Sequence, residues 1–310
     1  MVSGRRSTRD PVTERVKSTA RLLWRVLEEF VGDGCPRMAA ALSYYSIFAL
    51  PPLIGLLALV TSRFVRPGDI RDVISRQVQA IVGVQSATEI VDVIEGVVRP
   101  EITGPAAVLG ILALVFAATG AFAQLQAALN AAWGVQHDPR RGEVRVFLVK
   151  RAVSILMIGV FAFLLLLSLV ASTFISYVRG VLAGITPWWA SGWGLPVTEL
   201  AISLLAIVSL FTIILRYVPD AVVKWRDAIV GGLFTGGLFT VGKVLIGFHL
   251  ARSDPGSVYG AAGSLAIGLV WVYYSSMILL LGAEFTQVWA TRGGEEVVPQ
   301  RGSVLVHREL

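Results

Sequence analysis

Glu284 stands near the end of "MILLLGAEFTQVW" (277–289), an acid placed directly after an apolar run. With successive helical residues ~100° apart, Tyr273, Ser276, Leu280, Glu284 and Gln287 fall in one narrow, mostly polar stripe, while Trp271, Ser275 and Gly282 point elsewhere. An ionised carboxylate is costly in lipid, so the stripe belongs on an interior face. The ~28 Å from Gly263 to Leu281 puts Glu284 one turn beyond the hydrocarbon at the cytoplasmic boundary, not fully buried, as half of an ion pair, a gate or a substrate contact. Ser43, Tyr44, Tyr45 and Ser46 form a second polar group just before Pro51 and Pro52. The two prolines remove two helical N–H donors and clash with the carbonyls of Ile47 and Phe48. The resulting kink either shapes helix packing or exposes backbone at depth, as broken helices do at transporter sites. Gln124, Gln126 and Asn130, beyond the second apolar segment, extend the candidate substrate path. Lys243 follows Gly236 by seven residues, which puts it on the same helix face and predicts an inward direction. It also lies ~7 Å from the outer helix end, so it either lines a cavity or snorkels to water.

Other chemistries are excluded by what is absent. Cys35 is the one cysteine, so no intrachain disulfide forms, and His137, His249 and His307 have no metal-ligand spacing. No metal, cofactor or nucleotide-binding loop is expected, and a clustered acid–base pair for catalysis is missing. The chain reads as a non-enzyme.

The elements that must position these residues are membrane spans. Hydrophobic residues make up 55% of the 310-residue chain and charged residues 15%, with a mean hydropathy of +0.71. Few water-soluble folds stay in solution with that balance. Apolar segments at 38–61, 105–123, 152–175, 197–215, 228–248 and 262–285 each approach the ~20 residues that cross ~30 Å. The fold class is therefore all-α, a polytopic membrane protein of six transmembrane helices with short amphipathic interfacial helices.

Three regions follow: a cytoplasmic tail and amphipathic helix at 1–37, the transmembrane domain at 38–291, and a polar tail at 292–310 that reads as flexible. Lys and Arg concentrate in the segments that an internal N-terminus places inside, which predicts that both termini are cytoplasmic. Within 1–37, Val12, Val16, Leu23, Val26, Leu27 and Phe30 recur at helical spacing among Arg15, Lys17, Arg21 and Arg25. That helix either lies on the membrane surface or packs on the protein's own inner loops. The outer connection, 62–104, carries two more amphipathic stretches, and Trp188, Trp189 and Trp193 mark the outer interface. Ala228, Gly232 and Gly236, four apart, predict close approach to a neighbouring helix.

The net charge of +6 and pI near 9.8 fit orientation signals and anionic headgroups rather than nucleic acid. Arg140, Arg141, Arg145 and Arg226 are the headgroup-binding candidates. Two functions remain open: a transporter or lipid-translocating protein, or a non-transporting scaffold that docks envelope protein partners.

"CPRMAAALSYYSIFALPPLI", "LNAAWGV", "LRYVPDAVVKWRDAIVGGLFTGGLF" and "YGAAGSLAIGLVWVYYSSMILLLGAEFTQVW" resemble the YihY/virulence factor BrkB family of bacterial inner-membrane proteins over residues 30–291. The resemblance implies a six-helix protein of the cytoplasmic membrane. Its members have been named ribonuclease BN, serum-resistance factors and transporters, and linked to movement of envelope lipids. By matching position it singles out Tyr44, Pro51, Asn130, Trp133, Pro219, Trp225, Gly231, Tyr259, Gly260, Trp271, Tyr273, Gly282 and Glu284, with no catalytic role attached. The ribonuclease name does not suit this chain, because its histidines fall in a cytoplasmic loop, at the outer face and in the tail, and cannot converge on one metal.

Overall fold

Glycine and proline mark where the helices start and stop. The computed structural model describes residues 11–46, 105–137, 194–252, 261–292, 294–300 and 302–306. These form α1 (Pro11–Gly32), α2 (35–46), α3 (Pro105–Ala132), β1 (Val135–His137), α4 (Gly194–Tyr217), α5 (Trp225–Arg252), α6 (Ala261–Thr291) and β2 (Ser303–Leu305). Pro51, Pro52, Arg140, Arg141, Arg145, the outer connection 62–104 and the expected span at 152–175 lie outside the described residues.

Gly34, at φ +68°, takes the left-handed conformation that ends α1, donating its N–H to the Val31 carbonyl (3.0 Å). Its own carbonyl accepts from the N–H groups of Arg37 (3.0 Å) and Met38 (3.1 Å), so the same residue starts α2. Gly134, at φ +60°, closes α3 in the same way and turns the chain into β1. α3 continues past the apolar window through the Ala-rich stretch to Ala132, because Ala128, Leu129 and Ala132 are buried there. Gln124, Gln126 and Asn130 are therefore on the helix itself.

One core joins Cys35, Ala39 and Leu42 of α2, Phe122, Leu129 and Ala132 of α3, Phe211 and Leu215 of α4, and Leu280 and Ala283 of α6. A second cluster joins Ala228 at the start of α5 with Trp133, Val223 and Ala290, so the N-terminal ends of α2 and α5 meet the C-terminal ends of α3, α4 and α6. α1 joins at the same end, with Val26 against Phe285 and Val288. Among the described residues, Gly268–Thr291 is long and apolar enough to cross a membrane, with mean hydropathy 1.4, and Leu204–Tyr217 is a shorter apolar helix.

α5 is held between α4 and α6 by small residues. The expected close-approach face is present: Ala228 is buried, and a Cβ at Gly232 or Gly236 would strike Thr212 or Val208 of α4. A second glycine face, at Gly231, meets α6. There the contact is reciprocal, with Thr286 of α6 over Gly231 and Thr235 of α5 over Gly282. Each threonine hydroxyl donates to the carbonyl four residues earlier, Thr235 to Gly231 and Thr286 to Gly282 (2.7 and 2.6 Å), so neither hydroxyl is stranded between the helices.

Two expectations are corrected here. The all-α reading holds for most described residues, but β1 and β2 pair antiparallel, Val135 opposite Leu305 and His137 opposite Ser303. The C-terminal segment is also docked rather than flexible. Val222 and Gln300 donate their N–H groups to the carbonyls of Val298 and Asp220 (both 2.8 Å), and Ala221 bridges to Pro299. Its mean polarity hid this because the attachment is mostly backbone pairing, which side-chain hydropathy does not register.

Lys224 and Glu295, both exposed, form an ion pair across the same junction. Their hydrogen bond raises the Lys224 pKa above its usual 10.5 and lowers that of Glu295 below 4.5. A lowered carboxylate contributes above its ordinary pKa and loses that contribution as pH falls through the folded value. A raised lysine contributes below its ordinary pKa and loses it as pH rises through the folded value. Protection of the 294–300 amides, taken relative to their intrinsic exchange rates at each pH, is therefore expected to be greatest between those limits and to fall with salt. Glu295→Gln accelerates exchange at neutral pH, and its difference from the native chain disappears in acid, where both side chains are neutral.

Candidate functional site

The polar stripe of α6 ends in the core. Glu284 is 1% exposed, and the Cys35 thiol at the start of α2 donates to its Oε1 at 3.3 Å. This corrects the expectation that Glu284 is not fully buried. α2 covers the end of α6, which no count along one helix reveals.

Ser276 is buried one face-repeat before Glu284, Tyr273 is half-buried beside the core, and Gln287 is half-buried with its Oε1 shielded and without a hydrogen-bond partner. Ser43 is also buried, its hydroxyl donating to the Ala40 carbonyl (2.8 Å). Tyr44 is exposed and meets Tyr45 edge to face, with centroids 5.8 Å apart. Gln124 is half-buried and Arg226 exposed. Lys243 is exposed, which corrects its inward direction: Gly242, its neighbour, takes the interior position, packed under Tyr274.

Asn130 and Gln126 carry a second polar centre, built around a residue to which sequence reasoning assigned no role. The Asp220 carboxylate, in the connection between α4 and α5, accepts from Gln126 Nε2 (3.0 Å) and Asn130 Nδ2 (2.8 Å). The Asp220 N–H returns a bond to Asn130 Oδ1 (2.7 Å), while Gln300 Nε2 reaches the carbonyls of Pro219 (3.3 Å) and Ala221 (3.1 Å). This node ties α3, the α4–α5 connection and the C-terminal segment together. The usable sequence signal was the Pro219-Asp220 pair, a turn-forming dipeptide with a carboxylate, set between two apolar segments.

Arg216 lies beside the node, its guanidinium carbon 4.4 Å from the Trp225 ring centre and Nη1 donating to the Val223 carbonyl. Tyr217 and Trp225 are half-exposed next to it, in edge-to-face contact at 6.0 Å. Among the described residues, no three His, Cys, Asp or Glu side chains gather as metal ligands. The site is suited to holding a proton, a polar headgroup or a helix position, through a buried carboxylate and amides.

The model of the family described as virulence factor BrkB matches residues 26–303. A "UPF0761 membrane protein" of Saccharophagus degradans is 29% identical over 281 residues, 90% of this chain and 61% of that protein. Relatives of the same name from Pseudomonas paraeruginosa and Azotobacter vinelandii are 33% and 32% identical, covering 82% and 84% of this chain and 59% and 61% of their own lengths. The chain thus spans about three-fifths of the length of the curated relatives it matches. No solved structure matches it. With the model match running from α1 to β2, and with relatives named as membrane proteins, the chain is an integral membrane protein of the virulence factor BrkB family.

Proposed function

We propose that the chain is a six-span protein of the bacterial cytoplasmic membrane, with both termini inside, that moves an amphipathic envelope substrate, a lipid with an anionic headgroup being the best fit. The buried carboxylate of Glu284 carries the reading. An acid enclosed between two helices of a membrane protein is expensive to keep unless the stripe it ends has a use in binding or gating. The gathering of the starts of α2 and α5 with the ends of α3, α4 and α6 supports an up-and-down bundle, and the span at 152–175 supplies the parity it needs. The Lys and Arg bias assigns that end to the cytoplasm, where exposed Arg226, with Arg140, Arg141 and Arg145, would gather anionic headgroups.

A scaffold that docks envelope proteins without transport is the second reading. It is favoured by the use of Asn130 and Gln126 in the Asp220 node, which takes two residues off the path and makes them structural. Movement of reporter-labelled anionic and zwitterionic lipids in proteoliposomes separates the two. Transport predicts movement above empty vesicles and about a tenfold slowing in Glu284→Gln, the equivalent of ~1.4 kcal/mol. Native protein that moves neither lipid faster than empty vesicles would remove the transport reading.

A further inference from the structure

α1 has three faces, and among the described residues one of them packs into the apolar clusters of the protein. Val26 and half-buried Leu22 pack with Leu281, Phe285, Val288 and Trp289 of α6, and Phe30 beside them joins the main core. At ~100° per residue, Leu23, Leu27, Val31 and Trp24 form an adjoining face, and these side chains are 42%, 51%, 69% and 71% exposed. Arg21, Arg25 and Glu28, all exposed, make up the third, with Arg25 3.7 Å from Glu29 on its own helix. We infer that the Leu23–Trp24–Leu27–Val31 face of α1 is embedded in the lipid leaflet that flanks the C-terminal end of α6, with the charged face at headgroup level.

Position, side-chain type and charge all select lipid as the occupant. The part of α6 that α1 covers, from Leu281 to Trp289, is the C-terminal part of Gly268–Thr291, the stretch long and apolar enough to cross a membrane, so α1 lies where that helix leaves the hydrocarbon. Tryptophan at the edge of the exposed face that adjoins the charged one is the residue type that settles at this boundary. Residues 1–27 contain Arg5, Arg6, Arg9, Arg15, Lys17, Arg21 and Arg25 against Asp10 and Glu14, a strongly basic segment complementary to anionic headgroups. A helix with an apolar face, a basic flank and one edge fixed to a spanning helix is held in the interface plane rather than free to leave it. The surface requires only that the chain sits in a membrane, not that it transports anything.

The test uses the full chain in vesicles containing anionic lipid, with spin labels at Trp24→Cys, Leu27→Cys, Val31→Cys and Glu28→Cys; buried Cys35 stays unlabelled. Collisions with oxygen, which concentrates in lipid, are compared with collisions with a water-soluble nickel chelate. Labels at 24, 27 and 31 are expected to favour oxygen several-fold and the label at 28 to favour nickel, with immersion decreasing when Arg21 and Arg25 are replaced by Gln. Nickel access at 24, 27 and 31 equal to that at 28 would overturn the inference. So would shielding of those labels from both probes, since that outcome means a protein surface, a second copy included, covers the face.

Discussion

Gly282→Ala is expected to cost on the order of 2 to 3 kcal/mol, the upper part of the range for overpacked interiors. A Cβ at this position falls on the Thr235 hydroxyl and lies 2.9 Å from both Cβ and Cγ2 of that residue. Thr235 is β-branched and its χ1 is restricted within a helix, so it cannot swing aside as a long side chain would. The two helices must separate, and packing is the main force that joins helices in lipid.

Gly231→Ala meets Thr286 across the same interface, so the two substitutions together should cost less than their sum, the interface having already opened. Gly237→Ala is the control: no atom lies within 4 Å of its Cβ, and the change should be neutral or slightly stabilising through helix propensity. Thermal loss of monodisperse protein in detergent reads all three. Adding Thr235→Gly to Gly282→Ala should restore much of the loss by removing the obstructing side chain. If the single and double variants melt together, the reciprocal glycine–threonine contact does not join α5 to α6.

Asp220→Ala is expected to release the C-terminal segment and to destabilise the folded end by about 2 to 3 kcal/mol. The carboxylate accepts from two amides on α3, and its removal leaves Gln126 Nε2 and Asn130 Nδ2 without those acceptors in a largely covered site. Hydrogen bonds to a charged acceptor are individually stronger than neutral ones, and a network loses more than one bond when its centre goes. The Asp220 main chain remains, so Gln300 can still pair with it and its N–H can still donate to Asn130 Oδ1, but the two side-chain bonds that also fix the connection to α3 are gone. Amide exchange in 296–306 should rise well beyond the effect of Glu295→Gln, which removes one exposed ion pair. Asp220→Asn should fall between native and Ala, since it retains one acceptor oxygen while presenting an NH2 to a second donor. Equal exchange in Asp220→Ala and native protein would show that the segment docks through β1 and β2 alone.

Residue types and spacing alone determined the helical class, the membrane setting, the polar stripe of α6 and the small-residue face of α5 at Ala228, Gly232 and Gly236. These are local or periodic properties: the composition of a stretch sets its preferred solvent, and 3.6-residue periodicity sets which side chains share a face. The tertiary structure decided what each face meets. Cys35 and Glu284, 249 residues apart, become partners because α2 lies over the end of α6. Asp220 gathers Gln126 and Asn130 from 94 and 90 residues away, turning candidate path residues into fasteners. The C-terminal segment, polar in composition, is held by backbone pairing with the α4–α5 connection and β1. None of these contacts leaves a mark on local periodicity, because a hydrogen bond between distant segments depends on where whole helices are placed, and that placement comes from packing the core as one body.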